Sequence, residues 1–91
     1  MHKIPGVSVI MSVFNGEDFL ADAIKSVLHQ TFTDFEFIIV DDGSNDRSLA
    51  IIQSFQELDS RIKIIVHKNQ GLAKSLNIGI EHSKGKYIAR I

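Results

Sequence analysis

The sequence predicts a three-layer α/β/α fold whose central sheet is mostly parallel and contains about four strands. Short apolar runs rich in β-branched residues alternate with longer segments whose apolar residues recur at helical spacing, in the order β-α-β-α-β-α-β. Such alternation is typical of βαβ units, in which right-handed crossovers bring parallel strands side by side. With 91 residues, the chain is long enough for one domain at most.

The strands are predicted from four compact apolar runs, which cover residues 7–13, 35–40, 62–67 and 86–91. The first run is short, rich in β-branched residues and mostly apolar, which is typical of a buried strand. The fourth run reaches Ile91 with no turn or cap after it. Residues 1–91 are therefore expected to be a truncated piece of a larger domain.

The first helix is predicted over residues 16–29, with Asn15 as its N-cap. Glu17 and Asp18 then fall in its first turn, where the helix dipole favours acidic side chains. Apolar residues at helical spacing predict its buried face. They are Phe19, Leu20, Ala23, Ile24, Val27 and Leu28.

The second and third helices are predicted from shorter apolar stripes. Ser44 or Asn45 is expected to cap the second helix, and the pair Gln70-Gly71 is expected to open the third. Gly85 is interpreted as the stop of the third helix. The stripes consist of Leu49, Ile52 and Phe55 in the second helix and of Leu72, Leu76 and Ile80 in the third.

The carboxyl ends of the first three predicted strands carry the residues that suggest a binding site. In an open parallel sheet these ends share one edge, and ligands bind beyond it. Phe14 offers a flat face on which a base can stack, an interaction worth about 1–3 kcal/mol per base in nucleic-acid sites. The alternative is that Phe14 is a core residue at the end of its strand.

The second and third strand ends add polar groups. Asp41 follows four apolar residues, so its carboxylate needs a partner, and a base N–H or a ribose hydroxyl would suit it. The alternative for this turn is capping of the second helix by Asp42 or Ser44, which accounts better for Asp42 than for Asp41. Gly71 allows close backbone approach at a helix N-terminus, which favours anions. Lys74 adds a positive charge toward a diphosphate, although by itself it also fits a solvated surface lysine.

Several functional classes are excluded by composition and by missing motifs. The net charge of −1 leaves no electrostatic footprint for nucleic acid, and the chain has no cysteine for a thiolate metal site. GxxxxGK(S/T) is absent, and neither GxGxxG nor the acidic pair of a phosphoacceptor receiver domain follows the first strand. The histidines lack ligand spacing and are interpreted as surface or packing residues. They are His2, His29, His67 and His82.

Four segments, taken in order, resemble the family 2 glycosyltransferases of the GT-A fold. VSVIMSVFNGE at residues 7–17 is similar to the first strand and loop of that family, and EFIIVDDGSND at residues 36–46 is similar to its most recognisable segment. NQGLAKSLNIGI at residues 69–80 and GKYI at residues 85–88 match the segments that follow. The resemblance extends from Val7 to Ile91. It implies the Rossmann-like, nucleotide-sugar-binding half of a GT-A fold.

The resemblance also implies roles for individual residues. The Phe14 ring would stack near the base, and Asp41 would contact the base. Ser12 stands where the family commonly has proline, and Phe14 stands where it commonly has tyrosine, an exchange that keeps the ring. The implied nucleotide-binding residues are Ser12, Phe14, Asn15, Glu17, Asp41, Gly71 and Lys74, of which the last two would border the nucleoside diphosphate.

The activity implied by the resemblance is transfer of a sugar, with inversion, from a nucleoside diphosphate sugar to an acceptor hydroxyl. The expected donor is a UDP-sugar, and the expected setting is polysaccharide or glycoconjugate synthesis. A divalent metal, manganese or magnesium, would stabilise the departing diphosphate, and an acidic residue would remove the acceptor proton with its carboxylate. The family's metal-binding Asp-x-Asp and its catalytic acid are expected beyond Ile91, so no catalytic or metal-binding residue is assigned within the chain.

The sequence also allows expectations about the location of the protein and its partners. The lack of cysteine and of a signal peptide favours a cytoplasmic protein, with attachment to a membrane surface only through regions outside the chain. An unpaired sheet edge favours association, so dimers or larger assemblies are expected in concentrated solution. Two alternatives remain beside the donor-binding segment. One is a non-catalytic nucleotide-binding or interaction module that is complete as it stands, and the other is a fragment without a function of its own.

Overall fold

The computed structural model describes residues 4–91, which form one four-stranded parallel sheet and three helices. The strands are β1 (Val7–Val13), β2 (Phe35–Asp41), β3 (Ile62–Val66) and β4 (Tyr87–Arg90), in the spatial order β3-β2-β1-β4. The helices are α1 (Leu20–Leu28), α2 (Ser48–Leu58) and α3 (Leu72–Glu81). The predicted α/β class and the four parallel strands are confirmed. No helix in the described part of the chain has both the length and the apolar character to span a membrane.

The two faces of the sheet are covered by different helices. Successive side chains along a strand point to opposite faces, so β1 and β2 can contribute to two cores. Val9 and Phe37 lie opposite each other in the register and belong to a buried cluster with α1 and α2, whereas Ile10 and Val40 lie under α3. The predicted three layers are therefore confirmed. The main core consists of Val9, Met11, Val13, Leu20, Ile24, Val27, Phe35, Phe37, Ile39, Ile52 and Ile62.

Helix α3 approaches the sheet closely because it presents a glycine to it. A Cβ added to Gly79 would lie 2.6 Å from Cγ2 of Ile10, so a larger residue would push the helix away. Leu76 is buried, but Leu72 is 62% exposed and Ile80 is 41% exposed. The predicted apolar stripe of α3 is thus wrong at both ends. The helix buries Ser75, Leu76 and Gly79 instead.

Helix α1 begins at Leu20 rather than at residue 16, and the predicted N-cap at Asn15 is wrong. Asn15 adopts a left-handed backbone conformation with φ of 51°, which asparagine tolerates better than most residues. The chain then makes a turn in which Gly16 O accepts the N–H groups of Phe19 at 3.1 Å and Leu20 at 2.9 Å. This turn occupies the place of the predicted first helical turn.

Helix α2 begins at Ser48, and neither Ser44 nor Asn45 caps it. Instead, Asp46 Oδ1 accepts the N–H of Ser48 at 2.9 Å. The predicted caps are wrong because Ser44 and Asn45 both bind Asn15, on the neighbouring loop.

Buried polar side chains hold the amino edge of the sheet together. Ser8 Oγ donates to Glu36 Oε2 at 2.6 Å, and Glu36 Oε2 also accepts the N–H of Lys84 at 2.6 Å. The N–H of Gly85 donates to Ser8 Oγ at 2.8 Å. A Cβ on Gly85 would lie 2.6 Å from Ser8 N, so this glycine permits close passage along β1. The predicted helix stop at Gly85 is wrong, because α3 already ends at Glu81.

Candidate functional site

The carboxyl ends of β1, β2 and β3 meet at one edge of the sheet, as predicted. The N–H of Asp42 donates to Val13 O at 2.8 Å, and the N–H of His67 donates to Asp41 O at 3.2 Å. These bonds join the strand ends across the edge. The candidate site lies among three loops that leave it. They are the β1–α1 loop (residues 14–19), the β2–α2 loop (residues 42–47) and the β3–α3 loop (residues 67–71).

Asn15 joins the β1–α1 loop to the β2–α2 loop by two reciprocal hydrogen bonds. Its N–H donates to Ser44 Oγ at 2.9 Å, and its Oδ1 accepts the N–H of Asn45 at 2.8 Å. The left-handed backbone of Asn15 accompanies both bonds. The side chain was expected to line the nucleotide pocket, and that role stays a prediction, although its carbonyl oxygen already has a protein partner.

Acidic and hydroxyl side chains extend this junction. The N–H of Gly16 donates to Ser48 Oγ at 2.9 Å, and that of Glu17 donates to Asp46 Oδ2 at 3.2 Å. Glu17 Oε2 in turn accepts the N–H of Arg47 at 3.3 Å. Desolvation alone would raise the pKa of Asp46, but hydrogen bonds from Ser48 and Glu17 hold that pKa below its ordinary value. The two loops therefore form one hydrogen-bonded unit.

Asp41 carries the clearest sign of a ligand. Its side chain is 2% exposed, and Oδ1 has no hydrogen-bond partner among residues 4–91. A buried acceptor without a donor is costly, with a penalty of about 1–3 kcal/mol that is larger for a charged group. The capping explanation does not apply to this carboxylate. The fold thus holds a buried acceptor at the edge where ligands of parallel sheets bind.

Asp42, next along the chain, differs from Asp41 because both of its carboxylate oxygens accept hydrogen bonds from the protein. Oδ1 accepts the N–H of Gln70 at 2.9 Å, and Oδ2 accepts the N–H of Gly71 at 3.0 Å. The side-chain amide of Asn69 adds a contact to Oδ2 at 3.3 Å. The prediction that Asp42 caps α2 is wrong, since it binds the segment that precedes α3. The prediction that Gln70-Gly71 opens α3 is confirmed, with Gly71 in the N-cap position at φ of 96°.

His67 lies beside Asp42, with its Nδ1 3.4 Å from Asp42 Oδ1. Nδ1 is also 2.7 Å from Lys68 O, and Nε2 is 3.0 Å from Ser75 Oγ. The order Asp, His, Ser resembles a hydrolytic triad, but Ser75 is fully buried and its hydroxyl cannot reach a substrate. The three side chains therefore brace the loop.

The remaining histidine interpretations have different outcomes. His29 and His82 are exposed, as expected, whereas His2 lies outside the described residues. His67 packs as expected but belongs to the site, which sequence reasoning missed. Its spacing from Asp42 and Ser75 matches no motif, so only the folded chain brings the three together.

The other proposed nucleotide-binding residues lie at or near the same edge. Phe14 is 48% exposed, so the alternative of a core residue is wrong and its ring is accessible. Ser12 is half-buried near the end of β1, opposite Val40 in the register. Lys74 is exposed in the first turn of α3. The structure thus brings the predicted residues to one edge, and their contacts with a nucleotide stay predictions.

A resident metal does not fit the side chains of the described range. Within residues 4–91, no group of three or more His, Cys, Asp or Glu side chains could hold a metal ion. Asp41 and Asp42 are adjacent, but Asp42 is committed to backbone N–H groups.

Known proteins resemble this chain in both sequence and structure. The family model described as glycosyl transferase family 2 matches residues 8–91. An uncharacterized glycosyltransferase of Haemophilus influenzae is 42% identical over 100% of this chain and 28% of its own length. The putative glycosyltransferase EpsE of Bacillus subtilis is 44% identical over 99% of this chain and 33% of its own length. This chain thus spans between 12% and 35% of the length of the curated relatives compared with it.

Solved glycosyltransferase structures share the fold. TarS of S. aureus in complex with UDP matches 93% of this chain and 26% of its own, with a TM-score of 0.86 and 25% identity. The mannosyltransferase PcManGT of Pyrobaculum calidifontis, in complex with GDP-Man and Mn²⁺, matches 94% of this chain and 26% of its own. Its TM-score is 0.85 at 20% identity, a likeness of fold. Because the family model covers almost the whole sequence, this chain belongs to glycosyl transferase family 2.

Proposed function

We propose that this chain binds the donor of a glycosyltransferase, a UDP-sugar, at the carboxyl edge of its sheet. The full-length protein would transfer the sugar, with inversion, to an acceptor hydroxyl in polysaccharide or glycoconjugate synthesis. Membership of glycosyl transferase family 2 supports the reaction class. The observation that carries the binding proposal is the buried Oδ1 of Asp41, which lacks a donor within the described residues.

The chemistry of this acceptor limits the base. An ionised carboxylate only accepts hydrogen bonds, so the ligand must present an N–H or O–H to it. Uracil has a ring N–H at N3, and guanine has one at N1, whereas cytosine N3 and adenine N1 are acceptors. A buried carboxylate that faced cytosine N3 would oppose acceptor to acceptor, which costs free energy. Through a contact at the ring nitrogen, Asp41 therefore favours UDP, dTDP or GDP over CDP and ADP, whose bases can donate to a carboxylate only from their exocyclic amino groups.

Other features of the edge support a nucleotide of this kind. The half-exposed ring of Phe14 is available for stacking on a base, and the exposed Lys74 can add positive charge for the diphosphate. Gly71 was also expected near the diphosphate, but its N–H already binds Asp42. Solved relatives are complexes with UDP or with GDP-Man and Mn²⁺. We therefore propose a divalent metal, manganese or magnesium, for the full-length enzyme, with ligands outside the described residues.

A thermal-shift series is the direct experiment. UDP at about 100 times its dissociation constant should add about 2.7 kcal/mol of stability, which corresponds to more than about 10 °C for a chain of this size. With all nucleotides at the same concentration, we expect UDP, dTDP and GDP to raise the melting temperature more than CDP and ADP do. The rise should be largest with UDP. Equal shifts with UDP and CDP would refute a contact between Asp41 and the ring N–H of the base. A folded sample that none of these nucleotides stabilises would refute the binding proposal.

Self-association is a separate proposal, which follows from the sheet. Within residues 4–91, β3 and β4 each pair on one side alone. Such edges invite pairing with another chain. We expect sedimentation velocity of the 91-residue chain to show dimers or larger species at high concentration, and a monomer throughout would argue against the idea. We also propose a cytoplasmic location for the full-length protein, in solution or at a membrane surface, which cell fractionation would check.

A further inference from the structure

We propose that Asp42 is a positioning residue for the nucleotide site. Its carboxylate, with His67 beside it, fixes the β3–α3 loop against the end of β2, so that Asp41 and the first turn of α3 are in place before the nucleotide arrives. The inference rests on the proposed function, because it assigns a supporting role in the same site. It concerns a residue that binds the protein and not the ligand.

The contacts of Asp42 show that both oxygens of its carboxylate bind the β3–α3 loop. It is 2% exposed, and its two oxygens accept the N–H groups of Gln70 and Gly71 at 2.9 and 3.0 Å. These residues lie 28 and 29 positions away in the chain. Charge-assisted bonds of this kind are about twice as strong as neutral ones. One side chain therefore ties the third loop to the second strand.

Gly43 provides a second, independent sign of the same attachment. Its φ is +80°, and an added Cβ would lie 2.7 Å from the backbone nitrogen of Asn69. It would also lie 3.3 Å from His67 O. Two consecutive residues are thus adapted to the β3–α3 loop. Asp42 binds the loop by hydrogen bonds, and Gly43 lets it approach by having no side chain.

The loop is also bonded directly to Asp41. The N–H of His67 donates to Asp41 O at 3.2 Å, so a displacement of the loop acts on the residue that carries the buried acceptor. On the other side, His67 Nε2 lies 3.0 Å from Ser75 Oγ, which fixes the loop to α3. Asp42, His67 and Ser75 therefore connect the end of β2 with the first turns of α3. A site whose loops are already fixed binds its ligand more tightly, because binding then costs less conformational entropy.

The same contacts affect where a diphosphate can bind. A helix N-terminus attracts anions through its free N–H groups and its dipole. At α3 two of the N–H groups that lead into the helix are occupied by Asp42, and its negative charge opposes a second anion there. In the first turn of α3, Lys74 is then the residue whose side chain can bind a phosphate.

The test compares Asp42→Asn with a matched control, Asp59→Asn. Asp59 also accepts a backbone N–H, that of Arg61 at 3.0 Å, but it lies between α2 and β3, away from the site. UDP affinity is measured by calorimetry at a temperature where all proteins are folded, and amide hydrogen exchange is followed at Gln70 and Gly71. We expect Asp42→Asn to weaken UDP binding about tenfold and to speed both exchanges. Asp59→Asn should keep the wild-type affinity even where it lowers stability.

Chemical rescue separates positioning from general damage. In Asp42→Ala, added sodium formate can place a carboxylate where the side chain was, so UDP affinity should recover in formate but not in sodium chloride. Wild-type affinity in Asp42→Asn would overturn the proposal, as would equal losses in Asp42→Asn and Asp59→Asn. If Asp42→Asn did not fold, Asp42→Glu would replace it, with the same expected weakening and the same contrary result. If the wild type did not bind UDP, the proposed function would fail together with this inference. If the wild type and Asp42→Asn bound UDP equally well, this inference alone would fail.

Discussion

Asp41→Asn is expected to weaken UDP binding by about tenfold or more without destabilising the fold. The loss follows because a hydrogen bond to a charged acceptor is worth about 1.5–3 kcal/mol, and about 1.4 kcal/mol corresponds to a factor of ten. Stability should be unchanged or higher, since the substitution removes a buried charge whose Oδ1 finds no donor in the described part of the chain. Calorimetry with UDP and urea unfolding without ligand measure the two effects.

The base preference should change together with the affinity. The asparagine amide can donate to cytosine N3, so the ratio of UDP to CDP affinity should fall in Asp41→Asn. For stability, the matched comparison is Asp42→Asn, which has the same chemical change one residue along. There we expect a loss of stability, because the N–H groups of Gln70 and Gly71 lose their charged partner. An unchanged UDP affinity in Asp41→Asn would remove Asp41 from the binding site.

Phe37→Ala is expected to produce the largest loss of stability, about 3–5 kcal/mol. Phe37 is fully buried in the middle of β2, where it lies opposite Val9 of β1 and Ile62 of β3. Truncation leaves a cavity that packed neighbours fill only in part. A chain of 91 residues has a total stability of about 5–14 kcal/mol, so the variant would lose about a fifth of it or more. Urea unfolding followed by circular dichroism gives the free energies.

Phe32→Ala serves as the control for this change. The same ring is removed, but Phe32 is 49% exposed and lies outside the main core. We expect a loss below about 1 kcal/mol, because less apolar surface returns to water and no closed cavity forms. Similar losses in the two variants would show that β2 is not the centre of the core.

The order of strands and helices could be predicted because it depends on local patterns. Runs such as residues 37–40 are apolar on both faces, and the first helix keeps its period through Leu20, Ile24 and Val27. The start of that helix could not be predicted, because Asn15 is a good local cap whose side chain binds the β2–α2 loop instead. A competing partner far along the chain overrode the local preference.

The candidate site was predictable only in part, for a similar reason. Asp41 could be singled out because a carboxylate that ends an apolar strand is conspicuous in the sequence. The role of Asp42 could not be found, since its partners lie 28 and 29 positions away in a loop with no motif for them. His67 and Ser75 were missed because their contact depends on how α3 lies against β3. Residues 8 and 36, buried as a polar pair within apolar strands, were missed as well.

The junction between the β1–α1 and β2–α2 loops has a consequence for protein engineering. Backbone N–H groups in the β1–α1 loop donate to side chains of the β2–α2 loop and of Ser48, the first residue of α2. Those of Asn45 and Arg47 donate in turn to side chains of the β1–α1 loop. A graft that imported one loop from a relative would leave donors and acceptors on both sides unmatched. The proposed nucleotide-sugar preference would therefore be redesigned by transplanting residues 14–19 and 42–48 together.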